Sequence, residues 1–590
     1  MIETDVLIVG SGPAGASAAL FLSHYGIDTV VITKYRWLAD TPRAHITNQR
    51  TMEILNDADV AQEALRDAVP NHLIGNSILC DTLVGREIGR IKSWGAAPDR
   101  ISDYRLNSPF EICDIPQNYL EPILISNAAK RGAVIKFSTE FLSLTQDEHG
   151  VTAQVRDRTS GETYAIRAKY LIGADGGRSQ VAACVGLPMV GEMGLAGSIN
   201  VLFKADLSQY VAHRPSALFW MLNPEARIGG LGVGLLRMIR PWNEWLCVWS
   251  YDIAQPAPEL TEADAVDIVR KILGESTTPI EISSISTWTV NKAYASQYAS
   301  GRVYCVGDAV HRHPPNNGLG SNTSIQDSYN LAWKLAYVLK GIAGEGLLDT
   351  YCSERSPVGR DIVTRAITSI EETRNLLAIF EPDGQAGELD LQRVFDMAEP
   401  GADTRDQVAQ AVHRKNYEFN CLGIESNIAY KSSSIIPNGS LDLAGIDETQ
   451  SAFHSKVIAG ARFPHVWVTR GGQEISTLDL LGKGRFTLVA GSLGADFIEA
   501  ARELAAERGI PLNTCWIGPS GDAQDIYFDL RNRVGFGDSH VALVRPDGHV
   551  AWAGVRDGNP RRTLEAVFTI TLHLHDSHAQ AADQPHKEFA

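Results

Sequence analysis

No run of apolar residues in this 590-residue chain approaches the roughly 18 that a membrane-spanning helix needs, so no membrane partner is expected. Paired cysteines are missing too. The eight present (Cys80, Cys113, Cys184, Cys247, Cys305, Cys352, Cys421 and Cys515) are scattered, with no Cys-x-x-Cys and no metal-type spacing. That argues against a disulfide scaffold or a metal site and for packed or free thiols in a reducing compartment. Positive charge is short: 53 Lys and Arg stand against 70 Asp and Glu, a net charge of −17, which disfavours nucleic acid and anionic membranes as partners. The first residues, MIETDVLIVGSG, carry Glu3 and Asp5 where a secretory leader would carry positive charge, and a cytoplasmic location is expected. What the chain does have is apolar bulk, 44% of its residues, in a length too great for one domain.

The first motif is an apolar strand, Asp5–Val9, followed at once by Gly10-Ser11-Gly12-Pro13-Ala14-Gly15, an Ala-rich helix over Ala16–Tyr25 and a second strand, Thr29–Thr33. A Gly-x-Gly-x-x-Gly set between strand and helix marks a Rossmann-like dinucleotide fold. Gly10 makes the turn, Gly12 lets backbone amides approach a pyrophosphate at the start of the helix with Pro13 and Ala14, and Gly15 lets the helix pack on the strand. The acid expected about 20 residues later, to take the ribose hydroxyls, is missing. Thr33-Lys34 stand there, and Thr33 accepts a hydrogen bond more weakly than a carboxylate.

The densest chemistry is in GRVYCVGDAVHRHPPNNGLGSNTSIQDSYNLAWK, Gly301 to Lys334. A buried strand, Val303–Val306, ends in Gly307-Asp308 and so presents a carboxylate at the carboxyl edge of a sheet, where open α/β folds place ligands. A turn with Pro314, Pro315, Gly318 and Gly320 follows, and then a helix from about Ser321 into Val338 whose first amides and dipole make an anion site. Asp308 as a turn or capping residue is the plainer reading of Gly-Asp alone.

The ordered string Gly307-Asp308-Ala309, His311, Pro314-Pro315, Gly318, Gly320, Asn322, Asp327, Asn330-Leu331 and Trp333-Lys334-Leu335 resembles the second flavin-binding motif of the single-component FAD-dependent aromatic hydroxylases. The resemblance implies that Asp308 holds the ribityl chain of FAD, with Pro315, Gly318, Gly320, Ser321 and Asn322 against the pyrimidine edge of the isoalloxazine and Pro314 facing the substrate. Three further segments are similar to that family. In Thr41 to Leu55, Arg43 would contact FAD or phosphate and stand with His45 as a catalytic residue, or be a solvated loop arginine. His45 would face the substrate hydroxyl as base, or merely hydrogen-bond the flavin loop. In Asp114 to Leu124, Gln117 would contact FAD, or be a surface glutamine. In KYLIGADGGRSQ, Asp175 is as fit to organise its turn as to touch a ligand, and Ala182 stands where the motif's arginine is usual.

The stretches Val134–Ser138, Phe141–Asp147, Val151–Asp157 and Glu162–Ala168 read as an antiparallel meander, followed by a buried strand at Leu171–Ala174. Val190 to Thr289 is strand-like and aromatic; Trp220, Trp249 and Tyr251 would form a wall for a planar substrate, or a core of large residues. A third unit from Gly460 alternates strand and helix in a thioredoxin-like pattern, and its single cysteine, Cys515, lacks the resolving thiol that dithiol chemistry needs. VALVRPDGHVAW, Val541–Trp552, resembles the end of a redox-silent domain of the phenol hydroxylases.

The expected architecture is α/β. A Rossmann-like FAD-binding domain (residues 1–75, 100–185 and 285–400) is interleaved with a β-sheet substrate domain (76–99 and 186–284), as in p-hydroxybenzoate hydroxylases. A helical linker (401–459), a thioredoxin-like domain (460–575) and a disordered tail (576–590) follow. The resemblance is best to the phenol hydroxylase branch, its chlorophenol monooxygenases in particular. It implies ortho-hydroxylation of a phenol by FAD, NADPH or NADH and O2 through a flavin C4a-hydroperoxide, in a homodimer or homotetramer. Alternatives are hydroxylation of a larger polycyclic or polyketide substrate and a non-catalytic flavoprotein. Halogenation is disfavoured because the Trp-x-Trp-x-Ile-Pro signature is absent.

Overall fold

The structure, a computed structural model, describes residues 2–222, 233–381, 402–438 and 453–574. The expected tail at 576–590, and part of the expected linker, lie outside them. Its first sheet has eight strands, five of which run in the order Val303–Cys305, Thr163–Gly173, Ile2–Val9, Thr29–Ile32, Val134–Lys136, all parallel. The reason lies in the sequence: Val6, Leu7, Ile8 and Val9 form an unbroken apolar run, so this strand must be covered on both faces. Helix Pro13–His24 packs against helices Gln117–Lys130 and Gly320–Leu339.

The expected meander is split by hydrogen bonding. Val134–Lys136 is a parallel partner of Thr29–Ile32, whereas Thr139–Asp147 and Gly150–Asp157 are antiparallel. The two strands expected at 162–168 and 171–174 are one, Thr163–Gly173, antiparallel to Gly150–Asp157 in its first half and parallel to Ile2–Val9 over most of its length. Lys169 sits within it with its side chain exposed, its ammonium pairing with Asp5 of the adjacent strand at 2.8 Å.

The second sheet also has eight strands, in the order His311–Arg312, Glu281–Ala295, Met189–Lys204, Glu244–Tyr251, Val233–Arg240, Leu218–Leu222, Asn76–Cys80, Glu87–Lys92. Strand Glu281–Ala295 runs past the boundary expected at residue 284. Its end pairs with His311–Arg312, three residues after Asp308, so the second sheet is stitched to the flavin-motif turn. Helix Glu262–Leu273, started by a Thr261/Asp264 capping box, covers one face of this sheet.

The carboxyl-terminal unit has a four-stranded sheet in the order Leu512–Trp516, Phe486–Ala490, His540–Val544, Val550–Val555, with the first pair parallel and the other two antiparallel. Helices Ala495–Arg508 and Pro560–Thr571 accompany it. Its turn at 545–549 abuts the flavin-motif helix through a buried charge cluster. Glu354 accepts from Arg545 Nη1 at 2.7 Å, Arg545 Nη2 at 2.9 Å and Lys334 Nζ at 2.8 Å, and Arg545 Nε donates to Asp547 at 3.1 Å. Asn330 Nδ2 bridges Glu354 and Asp547. Burial brings the Lys334 ammonium down to about 8.

Candidate active site

Two helices that pack on each other both begin without a side-chain cap. Helix Pro13–His24 has Gly12 at its N-cap and helix Gly320–Leu339 has Leu319; neither cap bonds through a side chain, and neither first turn holds an acid. Their first amides are free of side-chain competition, and Ser328 Oγ joins the helices by donating to the Ala14 carbonyl at 2.7 Å. Gly10, at φ +108°, is forced: a Cβ there would sit 2.2 Å from the Ala174 carbonyl oxygen. Gly15 is likewise forced, with 2.0 Å to the Gly10 carbonyl. Gly12 is not forced by packing, since the nearest atom to a Cβ there is Glu121 Oε1 at 3.9 Å. Its missing side chain leaves open space, as a pyrophosphate cradle needs.

Thr33 is buried, with its amide and carbonyl spent on Lys136 and Thr139. Lys34 is exposed. Neither supplies a ribose carboxylate. The acid nearest Gly12 is Glu121, buried and pushed up by that burial, which accepts from the Ala39 amide at 2.7 Å and Gln117 Nε2 at 2.6 Å. Gln117 thus spends its amide nitrogen within the protein. Arg43 is exposed, and its guanidinium makes no hydrogen bond among the described residues.

Asp308 is exposed at the end of strand Val303–Cys305, and its carboxylate accepts no hydrogen bond among the described residues, leaving it available to a hydroxyl. The turn that presents it is held from below by Asp327. That buried carboxylate accepts from the Gly307 amide at 3.1 Å, His311 Nε2 at 2.8 Å and Arg355 Nε at 2.7 Å. Pro314 is buried, Pro315 exposed, and Gly318, Gly320 and Ser321 half-buried along the same turn. Asn322 is fully committed to the scaffold: Oδ1 accepts from the Asn48 amide and Thr51 Oγ1, and Nδ2 donates to the carbonyls of Ile46 and Gly318. It clamps the His45 loop to the flavin-motif helix and has no side-chain valence left for a cofactor. Asp175 is equally spent, on Ser179 Oγ and the amides of Gln180 and Val181, and organises its turn.

His45 lies on this loop beside Asp114 and Arg237. Its Nδ1 meets Asp114 Oδ2 at 2.6 Å, the His45 side chain being 15% and the Asp114 side chain 0% exposed. Two-residue strands, Ile46–Thr47 and Cys113–Asp114, set the pair together, and they are too short for any periodicity to announce them. With Asp114 ionised, Nδ1 carries the proton and Nε2 presents its lone pair. Burial and Arg237 together hold the His45 imidazolium below its ordinary range, Asp114 acting in the opposite sense, so the ring is neutral at neutral pH. Arg237 sits mid-strand, 3% exposed, and donates from Nη1 to the carbonyls of Pro42 at 2.7 Å and Arg43 at 2.8 Å. Its signal in the sequence was a cation inside the apolar run VGLLRMI.

Strand register decides the aromatic wall. Arg237 pairs with Leu218 and Leu246, so Trp220, Leu235 and Val248 share its face, which meets the His45 loop. Trp249 and Tyr251 alternate to the opposite face, with Trp245, Phe219 and helix Glu262–Leu273. The Tyr251 ring lies directly over Gly197, 2.5 Å from where a Cβ would be. Trp249 belongs to that core and Tyr251 packs against it, and of the expected wall only Trp220 shares the face of Arg237.

A family model described as an FAD binding domain matches residues 3–366, and one described as the carboxyl-terminal part of aromatic-ring hydroxylases matches 456–572. The chain belongs to the FAD-dependent aromatic-ring hydroxylases. It is 50% identical to a 2,4-dichlorophenol 6-monooxygenase of Delftia acidovorans, covering 94% of this chain and 96% of that one. A phenol 2-monooxygenase of a Pseudomonas species is 46% identical over 94% of this chain and 90% of its own. Among solved structures, the flavin-dependent monooxygenase PieE in complex with FAD and substrate superposes with a TM-score of 0.90 at 39% identity, covering 97% of this chain and 99% of that one. As a family member the chain is a flavoprotein monooxygenase that takes FAD and is reduced by NAD(P)H, and the free helix starts, the open position at Gly12 and the unpaired Asp308 carboxylate fit that cofactor. Among the described residues no helix is long and apolar enough to cross a membrane.

Proposed function

We propose that the enzyme hydroxylates a phenol at the carbon ortho to its hydroxyl group. The observation that carries this reading is the His45–Asp114 pair. A buried carboxylate fixes the imidazole tautomer, so that an accessible ring nitrogen can take the hydroxyl proton of a phenol. Electrophilic attack on a ring is fast only from the phenolate, and a free phenol with a pKa of about 10 is mostly protonated at neutral pH. The names of the two similar relatives, a 2,4-dichlorophenol 6-monooxygenase and a phenol 2-monooxygenase, both specify a carbon ortho to the hydroxyl.

Bound FAD, reduced by NADPH or NADH, would activate O2 and supply the oxygen atom. We assign the amides at Gly12 and Ala14, with Pro13 and Arg43 beside them, to its pyrophosphate, Thr33 and Lys34 to its adenosine end, Asp308 to its ribityl chain, and Pro315, Gly318, Gly320 and Ser321 to its ring. The chain's own work is then to orient the phenol, exclude water with the face bearing Trp220, Leu235 and Val248, and remove the proton through His45 Nε2. We read the carboxyl-terminal unit as a thioredoxin-like domain without redox activity, since burial pushes the Cys515 thiol up to about 12. We expect a cytoplasmic homodimer or homotetramer. The test is substrate-stimulated NAD(P)H oxidation, O2 uptake and catechol formation across a panel of phenols. Stoichiometric catechol supports the reading; oxidation of NAD(P)H without any catechol contradicts it.

A further inference from the structure

We propose that Arg237 is the receptor for the substrate's ionised oxygen, so that the phenol is held as its phenolate between the Arg237 guanidinium and His45. This rests on the phenol reading above and says which group carries the charge that the reaction creates.

The first support is an unfilled valence. A guanidinium has five N–H donors, and buried N–H groups in folded proteins are paired in the great majority of cases. Arg237 spends Nη1 on two carbonyls of the His45 loop, yet Nε and Nη2 are buried with no partner among the described residues. The cation is thus anchored by one nitrogen to the loop that carries His45, with two nitrogens left for an acceptor. Asp114 Oδ1 is also buried and unpartnered, while Oδ2 is committed to His45; Asp114 acts on Arg237 through its charge, and no hydrogen bond joins the two among the described residues.

The second support is charge balance. The charged groups acting on His45 are Arg237 and Asp114; those acting on Arg237 are Asp114 and Glu244. Before reaction, Arg237 is cationic, Asp114 anionic and His45 neutral. Proton transfer breaks the phenol O–H bond, forms N–H at His45 Nε2 and leaves the electron pair on oxygen. The imidazolium then faces Asp114 and the phenolate faces Arg237, so each new charge meets an opposite one in a dry site.

The third support is magnitude. Moving a proton from a phenol of pKa about 10 to an imidazole below about 6.5 is unfavourable by roughly three and a half decades or more. His45 alone cannot populate the phenolate. A unit positive charge at hydrogen-bond distance, at an effective dielectric of about 20, returns about three decades. Burial lowers Arg237 only to about 10, so it stays charged throughout the working range.

The test uses 4-nitrophenol, whose phenolate is visible by absorbance, bound to the FAD-loaded enzyme and titrated with pH. In the wild type the bound phenol is expected to ionise at lower pH than the free one. In Arg237→Met, which keeps the volume and removes the charge, the midpoint is expected to rise by about two to three pH units, and Arg237→Lys should recover part of the shift. An unchanged midpoint in an Arg237→Met enzyme that retains FAD overturns the inference and leaves the phenol reading standing. If the Met variant does not retain FAD, the wild type decides: bound 4-nitrophenol that ionises no more readily than free 4-nitrophenol overturns it. Failure of the wild type to bind 4-nitrophenol overturns the phenol reading itself, and this inference with it.

Discussion

Two buried charge clusters lie on the same loop-and-helix assembly, and they are finished differently. In the one between the flavin-motif helix and the carboxyl-terminal turn, every nitrogen of Arg545 and every carboxylate oxygen of Glu354 and Asp547 has a partner. Two cations, Lys334 and Arg545, balance two anions. In the other, His45, Asp114 and Arg237 leave one carboxylate oxygen and two guanidinium nitrogens unpaired in the protein. Burying a charge without full pairing is costly, so an unpaired set persists where something else completes it. The closed cluster is scaffold, and we read the open one as the substrate's place.

Breaking each cluster should therefore give different failures. Asp114→Asn places an amide donor against His45 Nδ1, which moves the ring proton to Nε2 and removes the base. Hydroxylation should fall by roughly 10²–10⁴-fold in single-turnover measurements, with FAD content and unfolding temperature close to those of the wild type. Glu354→Ala should do the reverse. It leaves two buried cations, Lys334 and Arg545, with Asp547 as their one remaining anion in the cluster and should cost about 3–5 kcal/mol of stability, read by denaturant unfolding of the FAD-loaded protein, while the molecules that stay folded keep their pH profile. A smaller effect is expected where the ligand is cofactor rather than substrate: Asp308→Ala should weaken FAD by about one to two decades, measured by retention after dilution. The smallest is at Cys515, buried and held as a neutral thiol, where Cys515→Ser should leave turnover unchanged; a loss of turnover with FAD retained would assign redox work to the carboxyl-terminal unit.

Much of the open α/β frame was legible because its signals are local. The glycines at Gly10, Gly12 and Gly15 and the Gly307-Asp308 edge announce themselves by spacing, and their geometry follows from a close approach or a helix start. What was not legible depends on register. The wall of tryptophans divides between two faces because residues 249 and 251 alternate against 237, 246 and 248, and composition alone cannot say which face a strand buries. Asn322 and Asp175 sit inside flavin motifs yet are consumed by the scaffold, a distinction that only hydrogen-bond partners make. Asp114 and Arg237 come from strands separated from His45 by 69 and 192 residues in the chain, so nothing local could join them.

The central claim, that the open cluster is where the proton is taken, is tested most directly by the pH dependence of single-turnover hydroxylation for phenols of differing acidity, in wild type and His45→Ala. Burial and Arg237 lower the folded pKa of His45, so its base form is present above that value and lost as the pH falls through it. The wild type should show an acid limb with a midpoint below about 6.5. In His45→Ala that limb should vanish, and the loss of rate should shrink at high pH and with acidic chlorinated phenols. An acid limb that survives in His45→Ala, or an equal loss for every phenol whatever its acidity, would contradict the account and return His45 to the scaffold.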